Sequence, residues 1–394
     1  MSLMARGPRF SLACVGDVYL QGPVASKARC RPGPAGPGSP AAGMLREADL
    51  ALGNLEAPLT AAEWPADKVA CLKTDPGLAG EVKALGLDAV TVANNHALDY
   101  GPQGLLDTLE ALKVAGVPAC GGGANLQRAL APAWVEVKGA KVAVLGFCSA
   151  LPPGFAATSR RPGVAPVRVR QAYLLDAVTA EEQPGTAPYV LTRLVEADVE
   201  RACGAVTCAR EQGADVVVAQ VHWGVPAAFV APFQGPEMDY QPALAHRLID
   251  AGADLVAGHH PHAPSGLEFY RGRVVLYSLG NFVFHRLMLQ AGQTDARPIP
   301  PYSPEAMAHV ALGREKDGLL ACVEFQGGEL KSVRLVALTL DQAGEPWVAG
   351  GRRSRAILER VEALSQRYCP GLRVESDGRV VWEGQGGAGG AGAD

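Results

Sequence analysis

What the chain lacks narrows it first. It has no basic excess: Asp and Glu number 40 against 36 Lys and Arg, giving a formal net charge of −4 and a pI near 6.1. A surface built to grip nucleic acid carries the opposite imbalance, so nucleic acid is excluded as a partner. No window approaches the ~18 consecutive apolar residues of a membrane-spanning helix. The opening MSLMARGPRF has no basic stretch leading into an apolar run, the mark of a secretory signal. Read as it begins, the chain is expected to be cytoplasmic, an export signal or anchor further upstream being the open alternative. Nine cysteines, at 14, 30, 71, 120, 148, 203, 208, 322 and 369, form no CxxC pair. Odd in number and scattered, they read as reduced thiols, mostly small buried hydrophobes, and not as a disulfide framework. There is no internal repeat.

What is present is a globular composition, 48% hydrophobic and 19% charged in 394 residues, enough for one large α/β domain or two ordinary ones. Short apolar runs, each ending in a polar cluster, recur through the first 280 residues. FSLACV (10–15) runs into Gly16-Asp17, ADLALG (48–53) into Asn54-Leu55-Glu56, and DAVTVA (88–93) into Asn94-Asn95-His96. DVVVAQV (215–221) meets His222-Trp223-Gly224, DLVAG (254–258) meets His259-His260-Pro261-His262, and GRVVLYSLG (272–280) meets Asn281. Runs this short and β-branched are buried strands. Helical patterns lie between them at 102–115, 195–212 and 242–251, the first entered through Pro102 and closed by Gly116. Strands alternating with helices predict an α/β sheet flanked by helices, whose ligands sit beyond the carboxyl ends of the strands.

One domain is expected over 8–345, interrupted by insertions at 152–190 and 285–306 that lie over the sheet edge. The Pro/Gly-rich stretch 31–43 is expected to be a loop near the first motif. After 319, two strands form a hairpin through Gly327-Gly328. A small extension with a charged helix (353–368) and a short strand pair fills 346–383, and the low-complexity tail 384–394 is expected to be disordered.

Asp17, Glu56, Asn95, His222, His260 and His262 are all ligand types for divalent first-row metals, and their mixture of carboxylate and imidazole suits Mn, Fe, Co or Zn better than Ca or Mg. No cysteine stands among them, which argues against a structural zinc site. A lone Asp after a strand is more often a turn residue, and a lone buried His is more often part of the core. The argument rests on the set, placed at successive strand ends of one sheet. Trp223 is expected to pack behind His222.

The motifs GDVYL (16–20), GNLEAPLT (53–60), ANNHALDYG (93–101), HWG (222–224), GHHPH (258–262) and SLGNF (278–282) resemble, in order, those of the CapA family, named for poly-γ-glutamate capsule synthesis. That family belongs to the calcineurin-like metallophosphoesterase superfamily, and the resemblance covers roughly residues 10–284. It implies a four-layer αββα sandwich holding two divalent metal ions, Mn, Fe or Zn. Carried over, Asp17 and His262 would bind metal 1, Glu56 would bridge, and Asn95, His222 and His260 would bind metal 2. His96 matches the histidine that acts as general acid or stabilises developing charge. Tyr19, Asn94, Asp99, His259 and Asn281 would line or brace the site. Two departures weaken metal 1: Tyr19 replaces a ligand histidine, and Glu56 replaces a bridging aspartate.

The resemblance implies a binuclear metal-dependent hydrolase that turns a metal-bound hydroxide on a phosphoester or related bond. The alternatives are a component of poly-γ-glutamate biosynthesis or γ-glutamyl amide processing, and a non-catalytic metal-holding subunit of an assembly. The expected partner is a small-molecule, phosphorylated or γ-glutamyl substrate. For an acidic polymer, Arg160, Arg161, Arg168 and Arg170 in the first insertion are the candidate contacts, and His285 and His309 flank the second.

Overall fold

The computed structural model describes residues 7–24, 41–68, 70–226, 237–285 and 316–382. Two sheets stack face to face. The first has eight strands, in the order Pro346–Val348, Glu329–Leu340, Asp317–Gln326, Arg9–Tyr19, Leu50–Leu55, Ala89–Thr91 and Ala119–Cys120, with Asn281–Phe284 joining the end of Arg9–Tyr19 in parallel. The second has six, in the order Leu267–Tyr270, Arg273–Leu276, Leu255–His259, Val216–His222, Ala140–Cys148 and Ala133–Val137. The strands that carry the polar clusters pair parallel with one another within each sheet, Leu50–Leu55 with Arg9–Tyr19 and Val216–His222 with Leu255–His259.

Strand alternation explains the layering. In Arg9–Tyr19, Phe10, Leu12 and Cys14 face the second sheet, meeting Val142, Val144, Val216, Val218 and Leu255. Ala13, Val15 and Val18 face outward, onto a cluster shared with the helices Ala42–Glu47, Ala79–Leu85 and Gly101–Val114. The second sheet repeats the arrangement. Ala143, Leu145, Val217, Val221 and Val256 pack on the helices Glu196–Glu211 and Tyr240–Asp250. The result is the expected four-layer αββα sandwich. Strands buried on both faces read as continuous apolar runs, which is why they were legible.

The expected hairpin forms through Gly327 and Gly328, at φ 59° and 79°, the left-handed pair a two-residue hairpin turn requires. Residues 346–382, expected as an extension, contribute to the sandwich itself. Pro346–Val348 is an edge strand of the first sheet, and the helix Gly351–Ser365 lays Ile357, Leu358 and Val361 on the core between the sheets. Its amphipathic face is spent closing one side of the sandwich. The segment 152–190 contributes a two-stranded ribbon, Val169–Leu174 with Tyr189–Leu194, linked by the short helix Ala177–Glu182. Within the stretch 31–43, expected as a loop, the helix Ala42–Glu47 begins at Ala42. Residues 31–40, 286–306, His309 and the tail 384–394 lie outside the described residues. Among those described, no helix is long and apolar enough to cross a membrane.

The first strand meets its partners with an irregular register beside Asp17, and a Cβ at Gly16 would lie 1.8 Å from the backbone oxygen of Gly280. That contact is backbone on backbone and cannot be relieved by a rotamer change. Gly16→Ala is therefore expected to cost at least about 1–3 kcal/mol, read from the urea unfolding midpoint. An unchanged midpoint would show that the two segments are not held at this distance.

Candidate metal centre

The carboxyl ends of the parallel strands of both sheets converge on one polar cluster. Asp17, Asn54 and Glu56 come from the first sheet and its edge, and His222, His259, His260 and His262 from the second. Asp17, Glu56 and His222 are fully buried, and each offers a ligand atom within 4.8 Å of the others. Asn95, His96 and His260 are partly exposed, so the cluster opens to solvent on their side.

Asn54 holds the carboxylates together: its amide Nδ2 donates to Asp17 Oδ1 (2.8 Å) and to Glu56 Oε2 (2.5 Å). Asn94 Nδ2 donates in turn to Asn54 Oδ1 (3.0 Å) and Leu55 O (2.8 Å), fixing the loop that carries Asn95. His222 Nε2 is 2.8 Å from Asn95 Oδ1 and 3.7 Å from Glu56 Oε1. His262 Nδ1 lies 2.9 Å from Asn281 Oδ1 and 3.4 Å from Asp17 Oδ2. His259 Nδ1 is 3.4 Å from Asp17 Oδ1, and its Nε2 is 3.1 Å from Gln220 Oε1. The His222 and His260 rings stand 4.6 Å apart. The turn holding His260 and His262 is strained. Both take positive φ, 97° and 55°, which side-chain-bearing residues rarely adopt.

The electrostatics are those of a cation site. Burial pushes the Glu56 carboxyl well up from its ordinary value, and neighbouring Asp17 adds to the effect. Burial pushes Asp17 up too, but the contact with His259, the charges of His262 and His259 and the Asn54 amide prevail, and its carboxyl is lowered. Burial, then the neighbouring histidines, drives His222 well below the ordinary imidazole value. The same causes, burial and then His262, push His260 down to about 3. Burial thus favours the neutral imidazole at both, the form that can ligate a metal. Glu56 Oε1 and His260 Nδ1 are buried with no hydrogen-bond partner among the described residues. Buried polar atoms are normally paired, and two buried carboxylates facing neutral histidines with unsatisfied atoms fit a divalent cation. The donor set is the carboxylate–imidazole mixture such ions prefer.

Beside this floor stands His96. Its Nδ1 is 2.6 Å from Asp99 Oδ2, and burial lowers its pKa against the opposing pull of Asp99. Asp99 also accepts from Leu72 N (2.6 Å) and Lys68 Nζ (2.6 Å). Asn281 is paired in register with Asp17. Tyr19 packs edge-on against Phe284, whose ring in turn meets His262. It is buried with Phe284 and Leu72, and its hydroxyl accepts from Gln21 Nε2 (2.5 Å). Trp223 is buried on Tyr277 and donates to its carbonyl, behind His222. Arg168 is not free for a substrate: its Nε and Nη2 grip both oxygens of buried Asp198 at 2.6 and 2.8 Å. His285 Nδ1 accepts from Gln21 N (2.8 Å).

Asn54, Gln220 and Lys68 also belong to the site and are not among the residues expected from the sequence. The first two had a signal, since Asn54 lies two residues from Glu56 and Gln220 two from His222, on the same strand faces. Lys68 sits in an irregular segment without periodicity, and no pattern marks it.

The family described as "Bacterial capsule synthesis protein PGA_cap" matches residues 11–286. The chain is similar to the PGA biosynthesis protein CapA of Bacillus subtilis (34% identity, covering 61% of this chain and 54% of that protein). It is likewise similar to the capsule biosynthesis protein CapA of Bacillus anthracis (31%, 61% and 51%). The chain thus spans about half the length of these curated relatives. An uncharacterized protein of Sinorhizobium fredii is 26% identical across 94% of this chain and 92% of its own length.

The raised Glu56 pKa predicts a pH effect in protein stripped of metal by a chelator. Native Glu56 binds its proton more tightly than the unfolded side chain, whose ordinary value is 4.5, so its contribution is full below that value and declines as pH rises toward the native pKa. Glu56→Gln is expected to remove this decline, making the stripped variant more stable than the stripped parent at neutral pH. Urea titrations across pH check it, and parallel stability curves for the two proteins would refute it.

Proposed function

Because the chain belongs to the bacterial capsule synthesis protein family, we propose that it is a metal-dependent hydrolase holding two divalent ions of the Mn, Fe or Zn kind and cleaving γ-glutamyl amide bonds of a poly-γ-glutamate chain. The observation that carries this reading is the buried Asp17–Glu56–His222 cluster, with Glu56 Oε1 and His260 Nδ1 left unpaired beside it. The substrate class follows from the relatives, named for PGA and capsule biosynthesis.

Asp17, Glu56, Asn95, His222, His260 and His262 would hold the ions. When bound, such cations supply Lewis-acid polarisation of the scissile carbonyl and an activated water. The chain supplies the rest. Asn54 keeps the two carboxylates side by side, and Gln220 and Asn281 orient His259 and His262. A histidine ring held by such a partner is fixed in tautomer and direction. His96 is fixed the same way by Asp99, which leaves Nε2 as the atom that exchanges a proton with the leaving nitrogen. The fully buried floor keeps bulk water from the carboxylates.

Elemental analysis of the purified chain, with assays on oligo-γ-glutamate, a phosphomonoester and a phosphodiester, tests the reading. Bound Mn, Fe or Zn is expected, with release of glutamate oligomers. His96→Ala should lower kcat ~10²–10⁴-fold and leave the metal content unchanged. Metal near zero after Mn²⁺ loading removes the centre. Turnover confined to phosphoesters moves the substrate, and loaded protein inert on all three, His96→Ala included, indicates a non-catalytic subunit.

A further inference from the structure

We propose that Lys68 is the substrate-recognising cation of this site, binding the free α-carboxylate of the glutamyl residue whose nitrogen leaves. The inference rests on the γ-glutamyl reading above and adds the group that selects for it.

Lys68 Nζ donates to Asp99 Oδ1 and to Asn95 O, both at 2.6 Å, and lies 3.3 Å from His96 Nδ1. His96 Nδ1 cannot accept, because its proton is given to the carboxylate of Asp99. An ammonium has three protons, and among the described residues the third has no acceptor. Phe155 lies on another side, with Nζ 5.3 Å from its ring centre, close enough for a cation–π contact. The Lys68 side chain is 16% exposed, whereas those of Asp99, Glu56 and His222 are at 0%. Lys68 therefore stands at the rim, next to partly exposed Asn95 and His96, where a substrate enters. Its charge is felt at Glu56, His96 and His260, which places it within the field of the whole cluster.

The substrate's chemistry meets this placement. In a γ-glutamyl polymer the leaving nitrogen is bonded to a carbon that bears a free carboxylate. A histidine that exchanges a proton with that nitrogen has the carboxylate one carbon further on, and Lys68 is beside that histidine. Without Lys68, an α-carboxylate placed beside His96 would face the buried carboxylate of Asp99 with no cation at the rim. Asp99 holds the ammonium in place, so it need not be ordered at binding.

Fluorescence anisotropy of metal-loaded protein with fluorescein-labelled oligo-γ-glutamate, and with the same oligomer amidated at its α-carboxylates, tests this. Lys68→Met should weaken binding of the free-carboxylate oligomer on the order of tenfold and leave the amidated one unaffected. The effect should appear in KM more than in kcat, and Lys68→Arg should largely restore it. Wild-type binding matched by Lys68→Met for both oligomers overturns the inference and leaves the hydrolase reading standing. Equal loss for both oligomers with a lowered Tm, unrescued by Lys68→Arg, makes Lys68 a structural counter-ion and also overturns it. Wild type that binds neither oligomer overturns the γ-glutamyl reading itself, and this inference with it.

Discussion

Two fully buried carboxylates, Asp17 and Glu56, share the single amide of Asn54, and most of the site's geometry answers to that pairing. Like charges taken out of water at this separation are unfavourable unless a proton or a cation intervenes. The chain settles the conflict unevenly, holding Asp17 ionised through the histidines and leaving Glu56 with its pKa raised. The surrounding imidazoles His222 and His260 stay neutral. Nothing in this arrangement benefits the fold alone. A hydrophobic replacement would be easier to bury, so the pairing points to a ligand of opposite charge.

The sandwich exists to hold that arrangement still. Backbone packs so closely at Gly16–Gly280 and Gly258–Tyr277 that a methyl group would not fit, and the hydrogen bonds Asp17 N to Gly280 O (3.0 Å) and Leu279 N to Gly258 O (3.3 Å) tie the strand ends that carry Asp17, His259 and Asn281. The positive φ values of His260 and His262 are tolerated because the flanking strands fix the turn from both sides. The helix Gly351–Ser365 works at a distance from the site: it seals the core between the sheets, and the segment just beyond it reaches back. Tyr368 donates to buried Glu237 (3.2 Å), which also bonds Ser265 in the turn after His262.

Much of this was legible beforehand because it rests on local pattern. Apolar runs buried on both faces mark the strands, and polar clusters at their ends mark where ligands gather. Of the six expected ligand residues, Asp17, Glu56 and His222 converge within reach of one ion, Asn95 meets His222, His262 lies by Asp17 and the His260 ring stands beside His222; His96 has Asp99 as its partner. What was not legible has physical causes. Tyr19 lies within the first motif, yet its ring joins a small apolar cluster with Phe284, a contact set by an element more than 260 residues away. Arg168 looked available and is consumed by Asp198, a pairing that depends on how the ribbon docks against a helix. The C-terminal helix read as an appendage because an amphipathic pattern does not say which core its apolar face will cover.

Strand and helix order, the two-sided burial of the strands, the family and the chemical types offered to a ligand follow from the order of residues alone. These depend on composition and period, properties each segment carries alone. The packed fold sets which of those groups meet, which face water, and which carry charge. It put Asn54 between the carboxylates through the register of two neighbouring strands, brought the histidines of the second sheet against them, and stood Lys68 beside His96 on a patternless loop. Charge state and contact are properties of neighbours in space, and a site of buried like charges is defined by them.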